Sequence, residues 1–197
     1  MSSLHLIGLA GTAGAGKDTA ADIMCKMFGM QNLSSGDALR AITRYVYHLD
    51  QTYNPVRDQL YEVGNHIRTV INPAALVELC ILQAEVLKID RAIITGLRSM
   101  GEAQAVRAAG GIIVVIDADP HIRYDRIFAR GRDAETQKTL EEFMEQDTRE
   151  NRGISDQGPG RGIKSIIESA DVVILNNAGL PELQLELNHK IAPLMVQ

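Results

Sequence analysis

Short apolar runs alternate along the chain with segments in which apolar residues recur every three or four positions. Four of the apolar runs predict β-strands, at residues 4–10, 92–95, 111–117 and 172–175. A further strand, the second along the chain, is predicted near residues 30–33, where the pattern is mixed. Because helical patterns separate these runs, the sequence predicts parallel βαβ units and a three-layer α/β sheet.

The helical segments carry recognisable start and stop signals. Ala20, Ile23, Met24 and Met27 recur at helical spacing, and Gly29 predicts the end of that helix. Prolines near helix starts predict three further helices, which begin at Asn72-Pro73, Asp119-Pro120 and Pro181. The first of these three, through about residue 88, is apolar on most sides, so we expect it to be buried.

Two segments fit the strand–helix alternation poorly. Residues 38–71 form a polar and apolar helical excursion, and residues 131–162 are charged and then rich in glycine. Both excursions leave from the carboxyl edge of the predicted sheet, where ligands of open α/β sheets bind. We therefore expect both to fold over a bound ligand and exclude water from it.

Composition limits the classes of protein. A chain of 197 residues with 45% apolar residues suits a single domain, residues 1–197. The net charge of −5, without a lysine-rich tail, argues against a nucleic-acid partner. No apolar segment approaches the ~20 residues of a membrane span, and no signal sequence is visible. We expect a cytoplasmic protein with Cys25 and Cys80 as buried thiols, and the histidines show no metal-ligand spacing.

The segment GTAGAGKDT, residues 11–19, lies between the first predicted strand and the first predicted helix. This is the context of a phosphate-binding P-loop, in which glycines let backbone N–H groups point at phosphate oxygens. We predict that the loop binds ATP and that Lys17 reaches the outer phosphates. The predicted ATP-binding residues of the loop are Gly11, Ala13, Gly14, Ala15, Gly16, Lys17, Asp18 and Thr19.

Asp18 departs from the usual P-loop pattern, which has a hydroxyl residue after the lysine. A carboxylate at this position could bind Mg²⁺ directly or through water, with the hydroxyl of Thr19 as a second ligand. Alternatively, Asp18 could simply stabilise the N-terminus of the helix, where negative charge is favourable.

Polar residues also follow the second and third predicted strands. Ser35 or Asp37 could cap a helix, with Arg40 one turn further on, and Arg98 follows the third strand. The simple interpretation is a capped helix with a solvent-facing arginine, and a salt bridge for Arg98. The functional interpretation is an acceptor-substrate site, in which two arginines at one sheet edge bind a phosphate group.

A further set of arginines surrounds the second excursion. Arg123, Arg126 and Arg130 are spaced three and four apart, on one face of a predicted helix. They could form a solvated charged face, paired with carboxylates such as Asp125, Glu141, Glu145 and Asp147. As a group in an acidic protein, they favour neutralisation of transferring phosphates. Arg132, Arg149 and Arg152 add to this set.

Several motifs together resemble a known family. GTAGAGKD, SSGDALR, TGLR and DRIFAR resemble motifs of the adenylate-kinase-like nucleoside monophosphate kinases. The segments DPHIRYDRIFARGR and ADVVILNNAGLPEL also resemble dephospho-CoA-kinase-like proteins. The resemblance implies the P-loop NTPase fold with a five-stranded parallel sheet in the order 2-3-1-4-5. It also implies an acceptor-binding insertion at 38–71, a lid at 131–162, and Mg²⁺ as the cofactor that accompanies ATP.

The resemblance further implies roles for individual residues. Lys17 would bind the β- and γ-phosphates, and Arg40 and Arg98 would hold an acceptor phosphate. Ser35 would contact the acceptor, and Asn177 would lie near the adenine. Arginines would surround the transferred group: Arg126 and Arg130, with Arg132, Arg149 or Arg152 from the lid.

The chain departs from the adenylate-kinase pattern after its third strand. Thr95 stands where those kinases have an acidic residue, and Leu97 stands in place of the proline before the matching arginine. Thr95 cannot bind a metal as a carboxylate would, so Asp18 is the candidate that replaces the lost carboxylate at Mg²⁺.

Three functions are consistent with these features. The first is a nucleoside or deoxynucleoside monophosphate kinase, whose acceptor needs cationic residues but no strong base. The second is a dephospho-CoA kinase, whose hydroxyl acceptor would use Asp37 as the base. The third is a non-catalytic nucleotide sensor, which would not need an acceptor site. The expected partners are ATP and a small phosphorylated acceptor, with the protein a monomer or homodimer.

Overall fold

The sheet consists of five parallel strands in the order β2-β3-β1-β4-β5. The computed structural model describes residues 5–131, 139–151 and 163–195. The strands are β1 (His5–Gly11), β2 (Gln31–Ser34), β3 (Arg91–Thr95), β4 (Ile112–Asp117) and β5 (Val172–Leu175). The predicted strands and their order are confirmed, with bounds that differ by about one residue. In the register of the sheet, Leu9 lies opposite Thr95 on one side and Val114 on the other.

Helices flank the sheet. They are α1 (Lys17–Phe28), α2 (Ser35–Val46), α3 (Arg57–His66), α4 (Ala75–Val86), α5 (Met100–Ala108), α6 (Pro120–Arg130), α7 (Leu140–Asn151), α8 (Ile163–Glu168) and α9 (Leu180–Ile191). A π-helical segment, Ile67–Ile71, continues α3, and a short 3₁₀ helix, Ala192–Met195, follows α9. Two of these helices, α5 and α8, were not expected from the sequence.

The two faces of the sheet form two separate cores, because successive side chains of a strand point to opposite faces. Ile7, Leu9 and Ile116 pack on one face with residues of α1 and α9, such as Met24 and Leu187. On the other face, side chains of β1, β3 and β4 pack with α4, α5 and α8. This second core includes Leu6, Ile94, Ile113, Val77, Val106 and Ile166.

The predicted helix ends are confirmed at two places. Gly29 ends α1 with φ of +64°, a conformation that glycine adopts without strain. The side chain of Asp119 accepts a hydrogen bond from the backbone N–H of His121 at 2.9 Å, and Pro120 is the first residue of α6. The fold therefore uses the cap chemistry that the sequence predicts there.

Three other predictions need correction. Asn72 lies in the turn before α4, where its side chain accepts a hydrogen bond from Ala74 N at 2.7 Å, and the helix begins at Ala75. This helix is not buried on all sides: one apolar face is exposed, formed by Leu79, Leu82 and Val86. Cys80 is buried, but Cys25 is only partly buried.

The two excursions differ in the helices that they pack together. In residues 38–71, α2, α3 and the π-helical segment pack with the start of α4 around Val63, Ile67 and Leu76. In residues 131–162, α7 packs against α6. Arg132, Arg152 and the side chain of Arg149 lie outside the described residues.

Within the described part of the chain, no single helix is long and apolar enough to span a membrane. One pair of helices, Asp58–Ile71 and Ala75–Val86, satisfies the length and composition criteria together but is bent by 84° between its two parts.

Candidate functional site

The loop between β1 and α1 has the backbone geometry of a P-loop. Gly14 and Gly16 have φ of +79° and +91°, in the left-handed region. Gly16 is the N-cap of α1 and is not accompanied by any side-chain cap. The first N–H groups of a helix need an acceptor, and together with the helix dipole they favour an anion at this end. The geometry therefore presents an anion-binding helix N-terminus at the carboxyl end of the central strand.

The side chains of Asp117, Asn176 and Arg123 bind the P-loop by hydrogen bonds to its residues. The Thr12 hydroxyl donates to Asp117 at 2.7 Å, and the Asn176 amide donates to the carbonyl of Ala15 at 2.8 Å. The Arg123 guanidinium lies 3.3 Å from the carbonyl of Ala13. These supporting roles were not predicted from the sequence. The available signal was position, because Asp117 ends β4 and Asn176 directly follows β5, both at the sheet edge of the loop.

The close fit explains two of the glycines. A Cβ at Gly14 would lie 2.6 Å from the backbone oxygen of Arg123, and one at Gly16 would lie 2.6 Å from the Asn176 amide nitrogen. Both distances are too short for a side chain. The P-loop glycines are therefore required by their neighbours as well as by their backbone angles.

Lys17 and Asp18 begin α1 and contact each other, with Lys17 Nζ 2.9 Å from the carboxylate of Asp18. The side chain of Asp18 is 72% exposed, and that of Lys17 is 33% exposed. Thr19 is also exposed. Asp18 does not cap α1 through its side chain, but it lies in the first turn, where the helix dipole favours a carboxylate.

The start of α2 lies at the end of β2. The cap is Ser34, not Ser35 or Asp37 as the sequence suggested, since the Ser34 hydroxyl accepts a hydrogen bond from Asp37 N at 3.2 Å. Ser35 is buried, and its hydroxyl donates to the carbonyl of Gly96 at 3.2 Å, which joins α2 to the end of β3. The carboxylate of Asp37 forms an exposed ion pair with Arg40.

The turn after β3 presents Arg98, whose side chain is exposed. Its backbone is held by Glu102, a fully buried carboxylate that accepts hydrogen bonds from Arg98 N at 2.5 Å and Ser99 N at 3.1 Å. The second oxygen of Glu102 lies 3.5 Å from Arg68 Nε, and Arg68 belongs to the π-helical segment. The segment of residues 38–71 is thereby connected to the turn that carries Arg98.

The arginines of α6 do not share one environment, which corrects the expectation of a single functional face. Arg123 is 2% exposed and forms a two-point ion pair with Asp147 of α7. Arg126 donates to the carbonyl of Ala178 at 3.0 Å, and its other terminal nitrogen is buried without a hydrogen-bond partner among the described residues. Arg130 is exposed. The pairing of these arginines with Asp147 thus exists for Arg123, but it lies in the interior and not on a solvated face.

The sheet order brings these groups to one edge. β3 and β2 place Arg98, Asp37 and Arg40 on one side of the P-loop, whereas β4 and β5 lead to Arg126 and Asn177 on the other. The side chain of Asn177 accepts a hydrogen bond from Asp119 N at 2.8 Å, which links the two loops of that side. Among the described residues, no three histidine, cysteine, aspartate or glutamate side chains form a metal-binding group.

Comparison with known proteins identifies the family. Residues 7–152 match the family model described as "AAA domain", so the chain belongs to this family of P-loop domains. None of the curated proteins compared with the chain matches it significantly.

Solved structures share this fold. TT1252 from Thermus thermophilus is 19% identical with a TM-score of 0.56, and the match covers 97% of this chain and 98% of that one. Shikimate kinase from Acinetobacter baumannii, in complex with shikimate, is 15% identical with a TM-score of 0.55 and coverages of 99% and 94%. Shikimate kinase from Bacteroides thetaiotaomicron is 16% identical with a TM-score of 0.56 and coverages of 96% and 98%.

Proposed function

We propose that the protein is an ATP-dependent phosphotransferase that acts on a small-molecule acceptor. The observation that carries this proposal is the arrangement at the carboxyl edge of the sheet. An anion-binding helix N-terminus with Lys17 lies between a side that carries Asp37, Arg40 and Arg98 and a side that carries Arg126. Phosphoryl transfer needs positioning and cationic groups more than covalent chemistry, and this arrangement supplies both.

On the donor side, backbone N–H groups of the P-loop and Lys17 would bind the ATP phosphates. The exposed carboxylate of Asp18 and the hydroxyl of Thr19 are hard oxygen ligands of the kind that Mg²⁺ prefers. Mg²⁺ usually keeps several waters and binds one or two protein oxygens beside the phosphates, so these two residues fit it. The ion would neutralise charge on the phosphates.

For the acceptor, the first candidate is a nucleoside or deoxynucleoside monophosphate. Arg98 is exposed and Arg40 is partly exposed on the side of β2 and β3, where planar guanidinium groups could bind a phosphate in two-point geometry. Arg126 and Arg130 of α6 would then surround the transferred group. The same arginines argue against a nucleotide sensor, which needs no acceptor site.

The second candidate is a hydroxyl acceptor, as in a dephospho-CoA kinase. The observation in its favour is Asp37, whose side chain is 71% exposed at the end of β2 and could accept the hydroxyl proton. The fold shared with two shikimate kinases is consistent with this candidate. A monophosphate acceptor would not need such a base.

The test is an ATP-consumption assay with ribo- and deoxynucleoside monophosphates, dephospho-CoA and shikimate, with each product identified by mass. We expect turnover with one acceptor class and its loss in Lys17→Met. Lys26→Met, in the last turn of the same helix, is the matched control and should keep the activity. ATP binding without turnover of any acceptor would contradict both kinase candidates and favour the sensor.

Asp37→Asn distinguishes the two acceptors. If the acceptor is a hydroxyl, the variant should lose turnover while it still binds ATP. If the acceptor is a monophosphate, the variant should change mainly the acceptor KM. Asp22→Asn, at an exposed position on α1, is the control for a change of charge alone.

A further inference from the structure

Arg123 is a buried cation that joins three parts of the fold. Its side chain is 3% exposed. Nε donates to the carbonyl of Ala118 at 2.9 Å, in the turn between β4 and α6, and Nη1 donates to the carbonyl of Ala13 in the P-loop at 3.3 Å. Both terminal nitrogens donate to the carboxylate of Asp147 on α7 at 2.7 Å. The P-loop, α6 and α7 therefore meet at one guanidinium group.

The contact with Ala13 bears on the shape of the P-loop. When backbone N–H groups of such a loop point at phosphate, carbonyl groups point the other way and need donors of their own. Arg123 supplies a donor to Ala13. In addition, the backbone of Arg123 packs so closely under Gly14 that no Cβ would fit. The first turn of α6 thus lies directly behind the phosphate-binding surface.

Asp147 fixes the orientation of this guanidinium. A buried cation requires a counter-charge, and the side chain of Asp147 is 12% exposed and binds both terminal nitrogens. The ring of Phe143, one turn earlier on α7, lies 5.6 Å from the guanidinium carbon. Asp117 lies 4.0 Å from Nε but also accepts the Thr12 hydroxyl. Asp147 is therefore the dominant partner that directs Arg123 toward the P-loop.

We propose that Arg123 is a positioning residue for the donor phosphates and that Asp147 makes donor binding depend on the placement of α7. The inference rests on the proposed function, since it assumes that the P-loop binds ATP. It gives α7 a role in the donor half of the site. A change at Asp147 should accordingly alter binding of ATP and leave the acceptor side, on β2 and β3, unaffected.

The experiment measures the Kd of ATP by isothermal titration calorimetry, together with thermal unfolding, on the full chain. In Asp147→Asn an amide N–H₂ faces the guanidinium donors, so Arg123 loses its charged, two-point partner. We expect ATP to bind about tenfold more weakly, which corresponds to about 1.4 kcal/mol, with an unchanged acceptor KM. Arg123→Lys keeps the charge beside Asp147, but its single compact ammonium cannot span the separate acceptors that the three guanidinium nitrogens reach, and it should show the same pattern.

The matched control is a second arginine–aspartate pair, Arg107 and Asp171, which lies 3.2 Å apart near the start of β5. Asp171→Asn also weakens a bond to the backbone N–H of Ile113, so it tests destabilisation away from the P-loop. We expect this variant to unfold at a lower temperature and to bind ATP normally.

Two results would overturn the inference alone. One is an unmodified protein that binds ATP while Asp147→Asn and Arg123→Lys bind it equally well. The other is a loss of ATP affinity in Asp171→Asn as large as that in Asp147→Asn, when the two variants have lost the same stability. If the unmodified protein binds no ATP, the proposed function fails and this inference fails with it. If Asp147→Asn does not fold, Arg123→Lys decides between these outcomes.

Discussion

Replacement of Glu102 by alanine should destabilise the protein strongly, although the residue lies on the short helix α5. Its carboxylate is fully buried and accepts hydrogen bonds from Arg98 N and Ser99 N. It also faces Arg68, whose side chain is 14% exposed. Glu102→Ala leaves two backbone donors without this acceptor and a mostly buried cation without its counter-charge.

The magnitude follows from these losses. Removal of one partner of a buried ion pair costs about 3–5 kcal/mol, and an unsatisfied buried donor costs about 1–3 kcal/mol. The two figures cannot simply be added, because both count the cost of leaving buried groups without a partner. In addition, Arg68 keeps its hydrogen bond to the carbonyl of Gly64 at 3.2 Å. We therefore expect a loss of about 4 kcal/mol in the free energy of unfolding. For a domain of this size, that lowers Tm by about 10 °C.

Urea denaturation followed by circular dichroism measures this loss directly. Glu85→Ala, at an exposed position on α4, is the control and should change stability by less than about 0.5 kcal/mol. Glu102→Gln keeps one acceptor oxygen and should fall between the two. A cost below about 1 kcal/mol for Glu102→Ala would refute the reasoning, because a buried and paired carboxylate could not be removed so easily.

Four further predictions concern other parts of the chain. Gly14→Ala should abolish ATP binding, because the added Cβ would lie 2.6 Å from a backbone oxygen. The control Gly29→Ala, whose Cβ would have nothing within 4 Å, should cost only about 1–2 kcal/mol of backbone strain and keep ATP binding. Equal ATP affinities of the two variants in calorimetry would contradict this prediction. Burial raises the pKa of the Cys80 thiol from 9.0 to about 11, with the nearby charges of Asp37 and Glu102 as lesser causes. Iodoacetamide at pH 8 should therefore modify the partly buried Cys25 first, and mass spectrometry of early time points would show the opposite order if the burial is wrong. Since the unfolded thiol ionises at the lower pH, the contribution of Cys80 to stability should be intact below pH 9 and decline as the pH rises toward 11. Asp119→Ala removes the N-cap of α6 and should lower the free energy of unfolding, measured by thermal unfolding, by about 1 kcal/mol. Asp125→Ala, on the same helix but away from its cap, is the control and should change it less.

Four of the five strands were predictable from sequence because each is a short apolar run with a clear boundary, whereas β2, with the sequence QNLS, has one buried residue. The run at 112–116 and the cap at Asp119-Pro120 are strong local signals, and the structure follows them. Such signals depend on neighbouring residues only, so no tertiary information was needed. The strand order came from the family resemblance, since local patterns do not determine which strands are adjacent.

Long-range contacts account for what the sequence did not predict. Arg123 resembles Arg126 and Arg130 in spacing, but its partner Asp147 lies 24 positions away, so its burial has no local signature. The apolar face of α4 was expected in the core, yet the sheet covers only the side with Val77 and Cys80 and leaves Leu82 exposed. Hydrophobicity indicates that a side can be buried, and only the fold decides whether it is.

The position of β1 at the centre of the sheet has an evolutionary consequence. The candidate acceptor groups lie on the side of β2 and β3, and Arg126 and Asn177, which would surround the nucleotide, lie on the side of β4 and β5, with β1 and its phosphate-binding loop between them. On the proposed function, mutations that accumulate between residues 35 and 71, where Asp37 and Arg40 lie, should alter the acceptor preference more than the binding of the donor. A gene encoding this chain could diverge toward a new acceptor through changes in one continuous stretch, while the segments that surround the nucleotide are retained.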